Sequence, residues 1–247
     1  GGRMLNTIKF ELEGELDKGR NDFLGSLLQG FIMENIDSGY AGILHESSLH
    51  PYSQYITEDN GKAIWTLNTL SIEAKENIAD IIKSKNLIYL KHKDKHIKIK
   101  SFNEEGMDYS DMVKKYYLQN HKRVLKIRFL TPTSFKQDGR YCIFPSVRLI
   151  FQSLMLKFDR AATDMEVFSK SVLENFEEYI EISGYKLRST FFHLEGVRIP
   201  SFMGEITLNI KGPAQLVNLA HMLVFFGTYS GVGIKAGIGM GGIAYNE

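Results

Sequence analysis

Residues 52–70 read Tyr52-Ser53-Gln54-Tyr55-Ile56-Thr57-Glu58-Asp59-Asn60-Gly61-Lys62-Ala63-Ile64-Trp65-Thr66-Leu67-Asn68-Thr69-Leu70. Asn-Gly between two runs rich in aromatic and β-branched residues is a strong hairpin signal, because a two-residue type I′ turn needs φ > 0 at both central positions. Strands are therefore expected at 52–57 and 62–70. Upstream, Leu5 to Leu12 alternates loosely and reads as a strand. Asp22 is a plausible N-cap for a helix from Phe23 to about Asp37, with apolar residues at Phe23, Leu24, Leu27, Leu28, Phe31 and Ile32. Ser38-Gly39 breaks it, and Tyr40 to Glu46 reads as a short turn. Downstream, Ser71 caps a helix to Lys83. Leu87–Leu90 and His96–Phe102 then pair around Lys93-Asp94-Lys95. The order β-α-β-β-α-β spells a ferredoxin-like (RRM-like) domain with an antiparallel sheet.

The polar, tyrosine-rich stretch from Gly106 to Asn120 reads as a linker, and after it the order repeats. Val124–Leu130 is a strand and Pro145–Phe158 a helix. Thr163–Phe176 looks like an inserted helix. Tyr179–Leu194 and Val197–Ile210 form a long hairpin around Glu195-Gly196. Pro213 opens a helix over Ala214–Phe226, and Gly239–Tyr245 closes the set. The fold class expected is α+β, two tandem ferredoxin-like domains over residues 4–120 and 121–247. The repeat is one of structure, with no clear sequence identity between the halves.

A chain of 247 residues suits two domains of about 120. Its formal net charge of +1 means that any basic surface must be local. The single cysteine, Cys142, rules out a disulfide framework and fits a reducing compartment. The apolar runs fall short of a bilayer span and no signal peptide is evident, so a soluble, cytoplasmic protein without membrane partners is expected.

Residues 227–243 pack seven glycines into seventeen positions around one cation: Gly227-Thr228-Tyr229-Ser230-Gly231-Val232-Gly233-Ile234-Lys235-Ala236-Gly237-Ile238-Gly239-Met240-Gly241-Gly242-Ile243. Neither nucleotide-loop pattern fits, since there is no Gly-Lys-Ser/Thr and no Gly-x-Gly-x-x-Gly opening a helix. Two readings stay open. The loop grips a nucleic-acid backbone through its N–H groups, or its glycines allow tight packing. No set of Asp, Glu, His and Cys has metal-ligand spacing. His92 and His96 are four apart, but on a hairpin protected by lysines rather than on a helix. No metal or cofactor is expected.

Taken together, these features resemble the CRISPR-associated endoribonucleases that cut precursor CRISPR RNA within each repeat. That family's glycine pattern, G-x-G, five residues, G-x-G, is met by Gly231-Val232-Gly233 and Gly239-Met240-Gly241. Further matches are Leu28-Gln29-Gly30-Phe31-Ile32, then Ile43-Leu44-His45-Glu46 and Tyr52-Ser53, and the strand Phe129-Leu130-Thr131-Pro132-Thr133-Ser134-Phe135. The resemblance covers the chain from Met4 onward. It implies metal-independent cleavage, in which the ribose 2′-OH attacks the adjacent phosphate and leaves a 2′,3′-cyclic phosphate and a 5′-OH. That reaction needs a base, an acid and donors for the phosphorane charge.

On the same resemblance, His45 stands where the family carries its catalytic histidine. The helix tyrosine used by some members is Met33 here, and a lysine some carry after the histidine is replaced within Ser47-Ser48-Leu49-His50. Two readings stay open: His50, Tyr40 or Tyr52 substitutes, or cleavage is slow with stabilisation from binding alone. Candidate RNA-binding residues are Lys136, Arg140, Arg148, Lys157, Lys186, Arg188 and Arg198, together with Gly231, Gly233, Lys235, Gly239 and Gly241. The expected partner is CRISPR repeat RNA, with delivery to an interference complex and a homodimer both left open. The competing readings are a non-catalytic RNA-binding subunit of a CRISPR ribonucleoprotein and, with little support, a metabolic ferredoxin-like enzyme. Trp65, His121, His193 and His221 read as structural residues.

Overall fold

The computed structural model describes residues 4–14, 24–46, 50–194 and 196–247. The expected N-cap Asp22 and Phe23 lie outside the described residues, as does Glu195. The first half is built from β1 (Met4–Leu12), α1 (Leu24–Asn35), α2 (Ser38–Glu46), β2 (Tyr52–Asp59) and β3 (Lys62–Thr69). It continues through a helical run of α3 (Ile72–Ala74), a π turn (Lys75–Ala79) and α4 (Asp80–Lys83), into β4 (Leu87–Leu90) and β5 (Lys95–Asp108). All strand pairs are antiparallel and the sheet order is β2-β3-β1-β5-β4. The four strands β2-β3-β1-β5 are the ferredoxin-like arrangement, with β4 as a short added edge. Ser71 accepts the Ala74 N–H and caps α3 as its sequence position predicts.

Alternation explains the core of this half. Ile8, Phe10 and Leu12 of β1 and Trp65 and Leu67 of β3 point to one face and meet Leu28, Phe31 and Ile32 of α1 and Ile78 and Ile82. Trp65 is fully buried, 5.1 Å from the Phe10 ring and 6.4 Å from Phe31.

Two expectations are corrected here. Residues 40–46 are not a turn but most of α2. Asp37 does not close α1; its carboxylate accepts the Tyr40 N–H at 3.0 Å and starts the next helix. Residues 106–120 are not a linker either. β5 runs to Asp108, and α5 (Tyr109–Met112) with a π turn (Val113–Tyr117) follows. Tyr109, Met112 and Tyr116 of this segment are buried in the core of the second half.

That half comprises β6 (Val124–Thr133), β7 (Phe135–Gln137), β8 (Arg140–Cys142), α6 (Val147–Ala161), α7 (Lys170–Tyr179), β9 (Ile180–Leu194), β10 (Val197–Ile210), α8 (Ala214–Ser230) and β11 (Ile243–Asn246). Its sheet order β11-β6-β10-β9 repeats the ferredoxin-like arrangement, and β7-β8 is a separate hairpin. The core is layered between this sheet and α6 and α8, with Phe129, Phe151, Phe158, Phe202 and Phe226 buried in it. The same core takes Leu5 and Leu70 from the first half. Tyr109 Oη donates to Leu70 O at 2.7 Å. A buried polar chain also crosses between the halves, from Thr7 Oγ1 to Asn68 Oδ1, from Asn68 Nδ2 to Ser53 Oγ, and from Ser53 Oγ to Tyr229 O (2.6, 3.0 and 2.6 Å).

Candidate active site and nucleic-acid interface

A cleft of about 960 Å³ lies between the halves. One wall is α1 and α2 with the chain entering β2, carrying Gln29, Tyr40, His50 and Tyr52. The other is the last turn of α6, with Lys157 and Arg160, and the glycine loop with Lys235. A second cavity, of about 360 Å³, opens on the outer face of the first sheet. There Glu11 is paired with Lys62 and Lys100, so its charge is already answered.

Much of the glycine loop is bonded to the protein itself: Val232 N donates to Gly241 O (2.9 Å), Ile234 N to Ser134 O (3.0 Å), Gly241 N to Pro132 O (3.0 Å) and Met240 N to Lys235 O (3.2 Å). Gly233 N donates to Ser153 Oγ and Gly242 N to Thr131 Oγ1, each at 2.9 Å. A Cβ on Gly233 would overlap the Ser134 carbonyl and one on Gly241 the Val232 carbonyl, and both residues have positive φ. Gly231 and Gly239 are likewise at positive φ, against Ala236 and against Gly25 with Phe192. These four glycines let the loop fold onto β6, its own return and α1. What the loop offers outward is Lys235, exposed in a left-handed conformation (φ 58°).

Gln54 fastens this loop to the α1 wall of the cleft. Its side chain is fully buried. Nε2 donates to Gly25 O of α1 (2.7 Å) and to Gly237 O of the loop (3.1 Å), while Oε1 accepts from Trp65 Nε1 (2.9 Å). Gly25 itself lies so close to Ile238 that any side chain there would collide with the loop backbone.

Of the four candidate catalytic residues, Tyr40, His50 and Tyr52 line the cleft. His45 sits exposed on the last turn of α2 and is not among the lining residues. Burial, followed by the charges of Lys157 and Arg160, lowers the His50 pKa, so its imidazole is neutral at pH 7 and able to accept a proton. Burial, with Glu73 and Tyr52 adding to it, pushes Tyr40 up to about 12. Burial also raises Tyr52, whose hydroxyl accepts from Gln29 Nε2 at 3.1 Å. Both tyrosines therefore keep their protons. Lys157 is lowered to about 8 by burial and then by Arg160. Met33 packs against the first core.

The remaining basic candidates lie along the second half. Arg148 pairs with Glu177 at 2.6 Å. Lys136 lies over the Tyr141 ring and Arg198 over Phe191. Arg140, Lys186 and Arg188 are exposed. Sequence reasoning missed the apolar part of this surface, since Phe144 and Tyr185 are 61 and 63 % exposed with ring centroids 5.9 Å apart. The edge strand β9 carries Tyr185, Lys186, Arg188 and Phe191 toward Leu194, which lines the cleft. At about 3.3 Å per residue that is a track of roughly 30 Å. His193 and Leu194 end it.

Paired ferredoxin-like halves around a histidine-bearing cationic cleft, with a basic aromatic strand leading into it, define a class built to handle a polyanion with bases to stack. Residues 127–243 match the family described as CRISPR-associated endoribonuclease Cas6. A Streptococcus thermophilus protein of that name is 31% identical over 218 residues, 88% of this chain and 89% of the relative. A Mycobacterium tuberculosis protein of the same name is 32% identical over 240 residues, 96% of this chain and 76% of the relative. The chain belongs to the CRISPR-associated endoribonuclease Cas6 family. In structure it is similar to a Cas6 product complex (TM-score 0.81, 22% identity, covering 98% of this chain and 99% of that one). It is also similar to a Thermus thermophilus Cas6 (TM-score 0.78, 22% identity, covering all of both).

Proposed function

We propose that the chain is an endoribonuclease that cuts precursor CRISPR RNA within the repeat, without metal, giving 2′,3′-cyclic phosphate and 5′-OH ends. One observation carries the reading: a neutral imidazole, His50, faces Lys157 and Arg160 in a cleft closed by Lys235. A neutral imidazole can take the 2′-OH proton, and the Lys157 and Arg160 cations across from it can hold the phosphorane charge. His45, one turn from the cleft wall, is the second proton carrier in this reading, and Tyr40 and Tyr52 supply protonated hydroxyls. The halves 4–120 and 121–247 act as two domains gripping one RNA. The glycines at 231, 233, 239 and 241 shape the loop that presents Lys235. Lys136, Arg140, Arg148, Lys186, Arg188 and Arg198 track the phosphates while Phe144 and Tyr185 stack bases. Family membership supports cytoplasmic action and delivery of the product to a CRISPR interference complex. Among the described residues no helix is long and apolar enough to cross a membrane.

The test is a cognate repeat RNA incubated with the protein in EDTA, with the ends of the products identified, beside the same RNA carrying 2′-deoxy at the scissile nucleotide. Cleavage at one site, abolished by the 2′-deoxy substitution, is expected. Retention of intact RNA would support the non-catalytic binding subunit instead.

A further inference from the structure

Away from the cleft, three residues from distant parts of the chain converge. His121 precedes β6, His221 lies in α8 and Glu247 follows β11, and one ligand atom of each falls within 4.8 Å of the others. His221 is fully buried, and the His121 side chain is 9 % exposed. Each imidazole places Nε2 on a backbone carbonyl, His121 on Lys115 O (3.2 Å) and His221 on Lys122 O (2.6 Å). A carbonyl only accepts, so both Nε2 atoms carry hydrogen and both Nδ1 atoms turn inward. This outer bond to a carbonyl is the one metal-ligating histidines make with their second nitrogen.

On the inward side the Tyr245 hydroxyl donates to His221 Nδ1 at 2.8 Å and the Lys122 N–H to Glu247 Oε1 at 3.1 Å, while His121 Nδ1 faces the same Oε1 at 3.2 Å. An imidazole lone pair and a carboxylate oxygen face each other at that distance only with a cation between them, a proton or a metal ion.

We propose that His121 Nδ1, His221 Nδ1 and the Glu247 carboxylate form a structural site for a divalent transition metal, Zn²⁺ above all. Imidazole nitrogen selects against Mg²⁺ and Ca²⁺. Zinc bonds of about 2.0–2.2 Å in a tetrahedron separate ligand atoms by about 3.3–3.6 Å. The 3.2 Å edge between His121 and Glu247 already matches this. The ligand atoms, all within 4.8 Å of one another, have to close by at most roughly 1.3 Å to reach that spacing. The stacked rings, 4.8 Å apart, converge their lone pairs when His121, the less buried of the two, tilts. Tyr245 or a water completes the four. None of these residues lines the cleft, so the ion fastens β11 and α8 to the chain entering β6 and takes no part in cleavage.

The experiment titrates untagged, chelator-stripped protein with Zn²⁺ by calorimetry and against a chromogenic chelator, with melting curves in parallel. One equivalent should bind at micromolar or tighter affinity and raise the melting temperature. Glu247→Gln and His121→Asn should each weaken binding at least tenfold, while a His92→Asn/His96→Asn variant leaves it unchanged. Glu247→Gln keeps the shape and its hydrogen-bond acceptor, so it decides the question should His121→Asn fail to fold. Absence of binding to the wild type, or binding undiminished in Glu247→Gln, would overturn the site.

Discussion

Replacing Gln54 with Met keeps the volume and removes three hydrogen bonds at once. Trp65 Nε1–H loses its acceptor in the core, and Gly237 O loses the donor that ties the glycine loop to β2. Gly25 O, a helix carbonyl, keeps its partner one turn on, so its loss counts least. A buried polar group left unpaired costs about 1–3 kcal/mol. With two such groups, one only partly buried, the expected destabilisation is about 2–4 kcal/mol. For a chain of this length each kcal/mol moves the melting temperature by about 2–4 °C, so a drop of roughly 4–16 °C is expected. Trp65 is the only tryptophan in the sequence, so its fluorescence reports the same site directly, and its emission should change along with the melting curve. Loss of loop anchorage should also lower cleavage, because Lys235 is carried by that loop. A melting temperature within about 2 °C of wild type with unchanged emission would refute the claim that Gln54 clamps the loop.

His50→Ala should slow single-turnover cleavage by about 10²–10⁴-fold with RNA binding within a few-fold; His45→Ala should be comparable or smaller, and the reverse ranking in a quenched-flow series would exchange their roles. EDTA should leave the cleavage rate unchanged while lowering the melting temperature of zinc-loaded protein; a strict Mg²⁺ requirement would defeat the mechanism. Lys235→Ala should lower the salt slope of RNA binding by somewhat under one unit with normal stability, whereas Gly241→Val should melt early; filter binding and calorimetry separate the two. Lys157, at about 8 in the free protein, binds phosphate only when charged. Its contribution to affinity is thus complete below pH 8 and falls as the pH rises above it, and a Lys157→Met variant should lose that part of the pH dependence.

Much of this was written locally in the chain. Asn60-Gly61, the Ser71 cap and the pair of long runs flanking Gly196 are short-range signals, and the structure follows each of them. Helix α2 was hidden because Asp37 serves as a cap facing forward, while the neighbouring Ser38-Gly39 looks like a stop. The stretch 106–117 was misread because its three apolar anchors serve a core in the other half, so its own pattern is thin. Tyr40, His50 and Tyr52 were legible as candidates only through the family resemblance that places His45 between them. That Lys157 and Arg160 would stand across from His50 depends on how the halves pack, and no spacing encodes it. His121, His221 and Glu247 were unreadable as a group for the same reason.

The segment carrying Tyr109, Met112 and Tyr116 has a consequence for how the protein is made. These side chains belong to a core whose other members include Phe226 and Tyr229, more than a hundred residues later. At about 5–20 residues per second, a ribosome needs roughly 6–20 s to synthesise the intervening chain. Throughout that interval the nascent first half holds the Tyr109, Met112 and Tyr116 side chains without the α8 part of their core. A chaperone that recognises exposed apolar segments should therefore find its binding site here, and slow synthesis should penalise the yield of this protein more than that of one whose halves fill their cores independently.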